Sequence, residues 1–419
     1  MKSFIISLFC LMCFAATSQS LSNQNTFIHN YNFGNGTIKE NVLKSYLSHA
    51  ITMAEMCTAE AFCVDGPYPY KDDDIRMLQN IGAKFIGRSI YLWGGENKVN
   101  NPGFWTFAAQ MINNMHETDK DIIFQACIFE IITTHVNEVK VPAWVFKAFN
   151  LSVENRNFRY DSMLNKKGLR VNNWRQGSSV PDVTRTETKL WFYYLAKNYI
   201  DIGIEAIHFG QVELMAMEDK NDNYKNWADI LTHVRAYAAK HARRKMILCD
   251  GHMPGGGIVI NNHLLFDFHS FPSRPKSLVN EPQHAVLEKG YLDAFFGRSK
   301  GGITPSGWNC NALPYLVELD NFGISKHPGK PDSSIYVWGY DEISWFALQP
   351  ENYRNEWLQY AAKKVKELDS TAFLEMPGSR IVIGVPKDKG TRYRANTNSK
   401  NCPLGYSQEE TIKNIWKNR

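Results

Sequence analysis

The stretch Ile204-Glu205-Ala206-Ile207-His208-Phe209-Gly210-Gln211-Val212-Glu213 decides how this chain is read. It begins as a short apolar run of strand length and follows a helical stretch from Thr186 to Asp201. Gln211 and Glu213 then stand two apart, so in extended backbone they share a face. A strand that is entered from a helix and left through polar residues is the repeating unit of a parallel α/β sheet. Such sheets build their sites at the C-terminal ends of the strands.

Seven further runs of this kind flank it. Ala61 to Asp65, Phe85 to Trp93 and Ile122 to Glu130 come before it; Lys245 to Asp250, His263 to Phe268, Tyr315 to Asp320 and Ile335 to Tyr340 come after. Helical patterns alternate with them at Asp72 to Gly82, Asn101 to Met115, Tyr224 to His241 and Glu351 to Leu368. Eight unbroken units predict a (β/α)8 TIM barrel that fills residues 19–376 as one domain, with 377–419 as an irregular C-terminal tail packed on the barrel. The connections Ile131 to Arg185 and Ser270 to Pro314 are long loops after strands three and six. Both rise from the site-bearing end, where insertions shape substrate access. Pro254-Gly255-Gly256-Gly257 lacks the glycine spacing and trailing acid of a dinucleotide fingerprint and reads as a loop.

The N-terminus reads as a targeting segment. Lys2 precedes the apolar run Phe4 to Ala16, which is too short to span a bilayer, and small residues follow at Ala16 and Ser18. Residues 1–18 are therefore expected to be a signal peptide, and the mature chain to be periplasmic, cell-surface or secreted without spanning a membrane. Cys13 follows Leu11 and Met12, residues bulkier than a lipidation site favours. A net charge of +5 spread over 419 residues gives no nucleic-acid footprint. The 11 Trp, 19 Tyr and 24 Phe describe a globular chain rich in aromatic side chains, expected to pack the core and to offer some rings as flat binding platforms. Six cysteines lie beyond the leader and show no C-x2-C metal spacing. Cys63, Cys127 and Cys249 lie in apolar runs and are expected as free thiols; export leaves a Cys57 to Cys63 bridge open.

Strand ends in a parallel barrel converge on one mouth, and here they are rich in acids: Asp65, Glu130, Glu213, Asp250, Asp267, Glu318 and Asp320. Glu213 on strand four would face Glu318 and Asp320 on strand seven. Opposed carboxylates are what glycosidic cleavage needs: one protonates the leaving oxygen and the other attacks or activates water. The layout resembles the clan A glycoside hydrolases, barrels in which an acid/base Glu ends strand four and a nucleophilic Glu ends strand seven. By that resemblance, Arg88 and Trp338 are the group's arginine and its aromatic sugar platform. Val212 takes the place of the group's Asn before the strand-four Glu, and His269 stands where an aromatic hydroxyl is usual. Glu213, Glu318 and Asp320 are thus the expected catalytic residues. Arg88, Gln211, Asp250, His252, His269, Trp338 and Tyr340 are the expected substrate contacts, with neither cofactor nor metal.

Two other chemistries fit the same residues. Asp250-Gly251-His252 and Asp267-Phe268-His269, with Glu213 or Glu318, would suit a divalent metal in a sugar isomerase or metal-dependent hydrolase. A barrel that binds glycan without cleaving it would keep the same aromatic platforms. No Gly-x-Ser-x-Gly elbow supports a serine nucleophile. Lys166, Lys167, Arg170 and Arg175 in the first long loop, with Arg274, Lys276, Arg298 and Lys300 in the second, point to an acidic oligosaccharide or polysaccharide.

Overall fold

The computed structural model describes residues 29–64, 66, 68–331, 334–386 and 390–417. The expected leader lies outside them, as does Asp65.

Five strands, β1 (Ala50–Met53), β2 (Phe85–Ile90), β3 (Ile123–Cys127), β4 (Ala206–Gln211) and β5 (Leu248–His252), pair in parallel in that order. A second parallel group joins β6 (His269–Pro272), β7 (Tyr315–Glu318) and β8 (Ala372–Leu374). After the single residue Glu375 the chain enters β9 (Met376–Ile381), which lies parallel to β1 on the side away from β2. The hairpin partner β10 (Arg392–Arg394) edges β9 antiparallel. Every residue of β1, β2, β3, β6, β7 and β8 is buried, as expected of parallel strands covered on both faces.

Nine helices are used below: α1 (Glu40–Ser48), α2 (Lys71–Ile81), α3 (Pro102–Thr118), α4 (Thr186–Asp201), α5 (Val212–Met215), α6 (Lys225–His241), α7 (Glu342–Leu348), α8 (Glu351–Leu368) and α9 (Glu409–Lys417). Parallel neighbours need a crossover, and α2, α3, α4, α6 and α8 supply it between successive strands. Their boundaries follow local chemistry. Asn101 caps α3 by accepting the Gly103 amide, and Pro102 follows at the first helical position. The buried stripe Phe104, Ala108, Met111, Ile112 and Met115 keeps the spacing of one helix face. Gly82 ends α2 in the left-handed region, at φ +73°.

Residues at or near the starts of the strands, Ala50, Phe85, Ile123, Ala206, Leu248, Leu316 and Phe373, cluster with Leu43, Tyr46 and Leu47 of α1. This apolar plug closes the N-terminal end of the sheet and leaves the C-terminal strand ends as the place for polar groups.

Three expected strands are corrected. Ala61 to Asp65 contains a 3-10 turn at Glu60–Phe62, and the first strand is Ala50–Met53 instead. That run is four residues long and follows α1 after one residue, so it reads as a continuation of the helix. His263 to Phe268 gives only the two-residue strand His263–Leu264 in a small side sheet; β6 begins at His269. Ile335 to Tyr340 is a turn in which Trp338 takes φ +49° and Gly339 φ +79°. The chain from 377 onward is not irregular, because it supplies most of β9, then β10 and α9. The helices Thr186–Asp201 and Glu351–Leu368 match their expected bounds, and the others differ by a few residues at the ends. Cys57, Cys127, Cys249, Cys310 and Cys402 are free thiols, so no bridge joins Cys57 to Cys63. No helix among the described residues is long and apolar enough to cross a membrane.

Candidate active site

A cleft of about 440 Å³ opens at the C-terminal strand ends. Its polar lining comes from β2 (Arg88), the turn after β3 (Glu130), β4 (His208, Gln211), β5 (His252), the turn after β7 (Asp320, Asn321) and β9 (Arg380). Its rings are Tyr91, Trp93, Phe129, Trp174 and Phe322. Trp93 is 40% exposed and Trp174 38%, unusual values for indoles, and the two meet edge to face with centroids 5.4 Å apart. Trp174 comes from the first long connection, and its indole N–H donates to the Glu130 carbonyl at 3.2 Å.

Beneath the cleft lies a buried charge lattice centred on Glu318. Arg88 grips this carboxylate through Nε, at 3.0 Å, and through Nη2, while Arg380 Nη1 donates to it at 2.7 Å. His252 Nε2 stands 3.5 Å from the same carboxylate. Burial alone would raise the Glu318 carboxyl, but Arg88 and Arg380 outweigh burial and hold it well below the usual carboxylate range. Arg88 occupies the left-handed region at φ +54°, where the β2–β3 register shifts, and its amide donates to Gln125 Oε1 at 3.1 Å. Strain of this sort in a bulky residue persists only where the surroundings over-determine it. Glu375, between β8 and β9, is pushed up to about 8 by burial and then by the negative charge of Glu318.

Two carboxylates stand at the cleft itself. Glu130 is held by one residue: Gln211 donates its backbone N–H to Oε2 and its side-chain amide to Oε1, both at 2.9 Å. Gly210, at φ +49°, makes room for this, since a Cβ there would meet Glu130 Oε2 at 2.0 Å. Asp320 accepts through Oδ1 from Arg380 Nη2 at 2.7 Å and from the Asn321 amide at 2.9 Å. Among the described residues Oδ2 has no hydrogen-bond donor.

Of the expected site residues, Arg88, Gln211, His252 and Asp320 line the cleft, and Glu318 sits under its floor. Glu213 is not among the lining residues. It lies in the first turn of α5, accepts from the Gly255 amide at 2.9 Å and has Lys220 Nζ 3.7 Å away. Asp250 is fully buried below the cleft, bonded to His208, Gln125 and Ser270. His269 is buried away from it, 3.5 Å from Ser299 Oγ, and burial followed by the charge of Lys300 lowers its imidazole to about 3. Trp338 is 4% exposed and anchors its turn through the His284 carbonyl at 2.7 Å. Tyr340 borders a different hollow, with Pro282 and Tyr353.

The Asp-x-His pairs are separated by their partners: Asp267 pairs with Arg235 at 2.9 Å, whereas Asp250 faces His208. Among the described residues no group of three or more His, Cys, Asp or Glu is placed to hold a metal ion. Glu342 is also fully buried, where it accepts from Ser273 and Arg274 and ties β6 to α7. None of the basic residues of the two long loops lines the cleft. Arg274 pairs with Asp293 and Glu342, Lys167 with Glu218 and Lys276 with Glu288.

Sequence reasoning passed over Arg380, Trp93, Trp174 and His208. It placed Glu130 at the mouth without assigning it a role. Arg380 fell in a segment taken for tail, while Trp93 and Glu130 end the runs assigned to strands two and three and were open to selection by the same strand-end argument as Glu213.

No family model and no curated protein sequence matches the chain. Solved structures of similar layout include a GH113 beta-1,4-mannanase complex, 10% identical with a TM-score of 0.39, covering 93% of this chain and 100% of that one. The debranching enzyme of Nostoc punctiforme is 10% identical at a TM-score of 0.40, covering 89% and 79%. The glycoside hydrolase domain of PelA from Pseudomonas aeruginosa is 9% identical at 0.35, covering 72% and 90%.

Proposed function

We propose that this protein hydrolyses a glycosidic bond in the strand-end cleft, with Glu130 and Asp320 as the working carboxylates. One observation carries the reading: both acids line a cleft that also displays the exposed indoles of Trp93 and Trp174. Flat apolar rings beside carboxylates suit a ligand with apolar sugar faces and reactive acetal oxygens. Asp320, with Oδ2 left over after Arg380 and Asn321 bind Oδ1, attacks the anomeric carbon or activates water. Glu130 delivers the proton to the leaving oxygen. Glu318 is then the anchor that orients Arg88 and Arg380, and Glu213 keeps a structural role at α5.

The scaffold in this reading is a closed (β/α)8 barrel. The chain passes from β8 to β9 through Glu375, whose amide donates to the Val317 carbonyl at 2.8 Å, so β7 is linked round to β1. On the other side the Asp267 amide donates to the Cys249 carbonyl at 2.8 Å, and Asp267 Oδ2 accepts from the Cys249 amide at 2.9 Å, which brings β6 to β5. The barrel domain would thus run past 376 to Ile381. Export directed by the expected leader would place the enzyme outside the cytoplasm.

Screening release of reducing ends from a panel of neutral and uronic-acid polysaccharides tests this reading. Turnover of at least one member, with a raised KM when Trp93→Ala and Trp174→Ala are combined, is the expected result. Binding without release by the wild type contradicts it. Two predictions follow from the geometry. Gly210→Ala should lower kcat by about a hundredfold with little change in KM, because the new methyl displaces Glu130 by the ångström or so that positioning tolerates least; steady-state kinetics checks it. Prior dialysis against EDTA should leave turnover intact, since Asp250 and Asp267 are both bound to internal partners; loss restored by a divalent ion would favour the metal chemistry instead.

A further inference from the structure

We propose that His208 is a substrate-binding residue, its bare Nε2 accepting a hydrogen bond from a sugar hydroxyl in the cleft. The assignment rests on the reading of the cleft as a glycan site and adds a contact that the two carboxylates do not supply.

The argument is one of donors and acceptors. Gln125 accepts the Arg88 amide on Oε1, at 3.1 Å, so its Nε2 must face Asp250 Oδ1, which it does at 2.8 Å. Ser270 Oγ donates to Asp250 Oδ2 at 2.5 Å. His208 Nδ1 lies 2.8 Å from that same Oδ2. A carboxylate ringed by donors is an acceptor, so the imidazole proton resides on Nδ1 and Nε2 is left with a lone pair. His208 lines the cleft and is 1% exposed, and among the described residues its buried Nε2 has no hydrogen-bond partner. Buried polar atoms are nearly always paired, and one enclosed beside a ligand cleft is completed when a ligand hydroxyl reaches it. Burial, the largest influence, lowers the imidazole against the pull of Asp250, and the charges of Arg88 and His252 add to it, which favours the neutral form. The His252 and Phe129 rings, with centroids 5.0 and 5.9 Å away, hold the imidazole in place.

Asp250→Asn gives the sharpest test, because an amide there can accept from Gln125 while donating to His208 Nδ1. That moves the imidazole proton to Nε2 and turns the acceptor into a donor. The probe is 15N-histidine NMR on the Asp320→Asn protein, expected to bind while turning over at least about a hundredfold more slowly, titrated with oligosaccharides cut from the panel polysaccharides. The free protein should show the Nδ1–H tautomer, and added oligosaccharide should shift the Nε2 resonance as it accepts a proton donor. In the otherwise native enzyme, Asp250→Asn should raise KM about tenfold, the worth of one hydrogen bond made in ground and transition states alike, with kcat little changed. His208→Gln, which keeps an acceptor, should lose less than His208→Ala. A proton found on Nε2 in the free protein, or a resonance unmoved by a saturating oligosaccharide, overturns the proposal. If oligosaccharides shift the resonance but the wild type cleaves none of them, His208 stands and the hydrolase reading falls.

Discussion

Glu130→Gln and Asp320→Asn are each expected to lower kcat on an unactivated polysaccharide by about 10²–10⁴, the usual range for removing a positioned proton donor or acceptor. The two should separate on an aryl glycoside with a good leaving group. Such a leaving oxygen needs no proton, so Glu130→Gln should recover most of its loss in the bond-breaking step, read as the first burst of released aryl alcohol, whereas Asp320→Asn should not. Both variants should fold, because each replaces an oxygen with an amide nitrogen of similar size. Equal losses on both substrates would remove Glu130 from the proton-donor role.

Glu318→Ala is expected to cost about 3–5 kcal/mol of stability, among the largest effects of any substitution in this chain. It leaves Arg88 and Arg380 buried without the carboxylate that neutralises them, and a buried charge stripped of its partner is far more damaging than the pair was stabilising. Urea unfolding checks it, and a loss below about 1 kcal/mol would mean that Asp320 and Asn321 alone satisfy the two guanidiniums. The neighbouring acids give the lattice opposite pH signatures. Glu318 sits below its unfolded value, so its contribution is present at neutral pH and is lost as pH falls into the acid range. Glu375 is raised from 4.5 to about 8, so between those values the folded state holds a proton that the unfolded chain has released. Stability should therefore decline as pH rises through that window, and Glu375→Gln should flatten the decline.

Much of the layout was legible in the sequence because parallel strands covered on both faces leave continuous apolar runs between amphipathic helices. The strands at 85–90, 123–127, 206–211, 248–252 and 315–318 overlap the expected runs, and helices separate the first four of them, since residues such as Phe104, Ala108 and Met111 declare a helix face without tertiary context. The misplaced strands have local causes. Ala50–Met53 is too short to show a period after α1, and β9 carries Pro377, Gly378 and Arg380, residues that argue against a strand unless its neighbours are known. Losing β9 lost Arg380, and with it the reason why Glu318 cannot be the free acid. Glu213 illustrates a second limit. Its spacing from Gln211 assumes that the strand continues, whereas the chain turns into α5 at Val212 and swings the carboxylate towards Gly255. Gln211 shares the cleft not with Glu213 but with Glu130, a pairing across strands that spacing along one strand cannot reveal.

Hydrolysis in the cleft adds water across the glycosidic bond and leaves the solvent oxygen in the product. Digesting the best panel polysaccharide in water enriched with ¹⁸O and weighing the oligosaccharide products by mass spectrometry tests this directly. Hydrolysis predicts one ¹⁸O in each newly formed reducing end, and none when Glu130→Gln and Asp320→Asn are combined. Products that carry an unsaturated end and no ¹⁸O, or label that persists in the doubly substituted protein, would contradict the account.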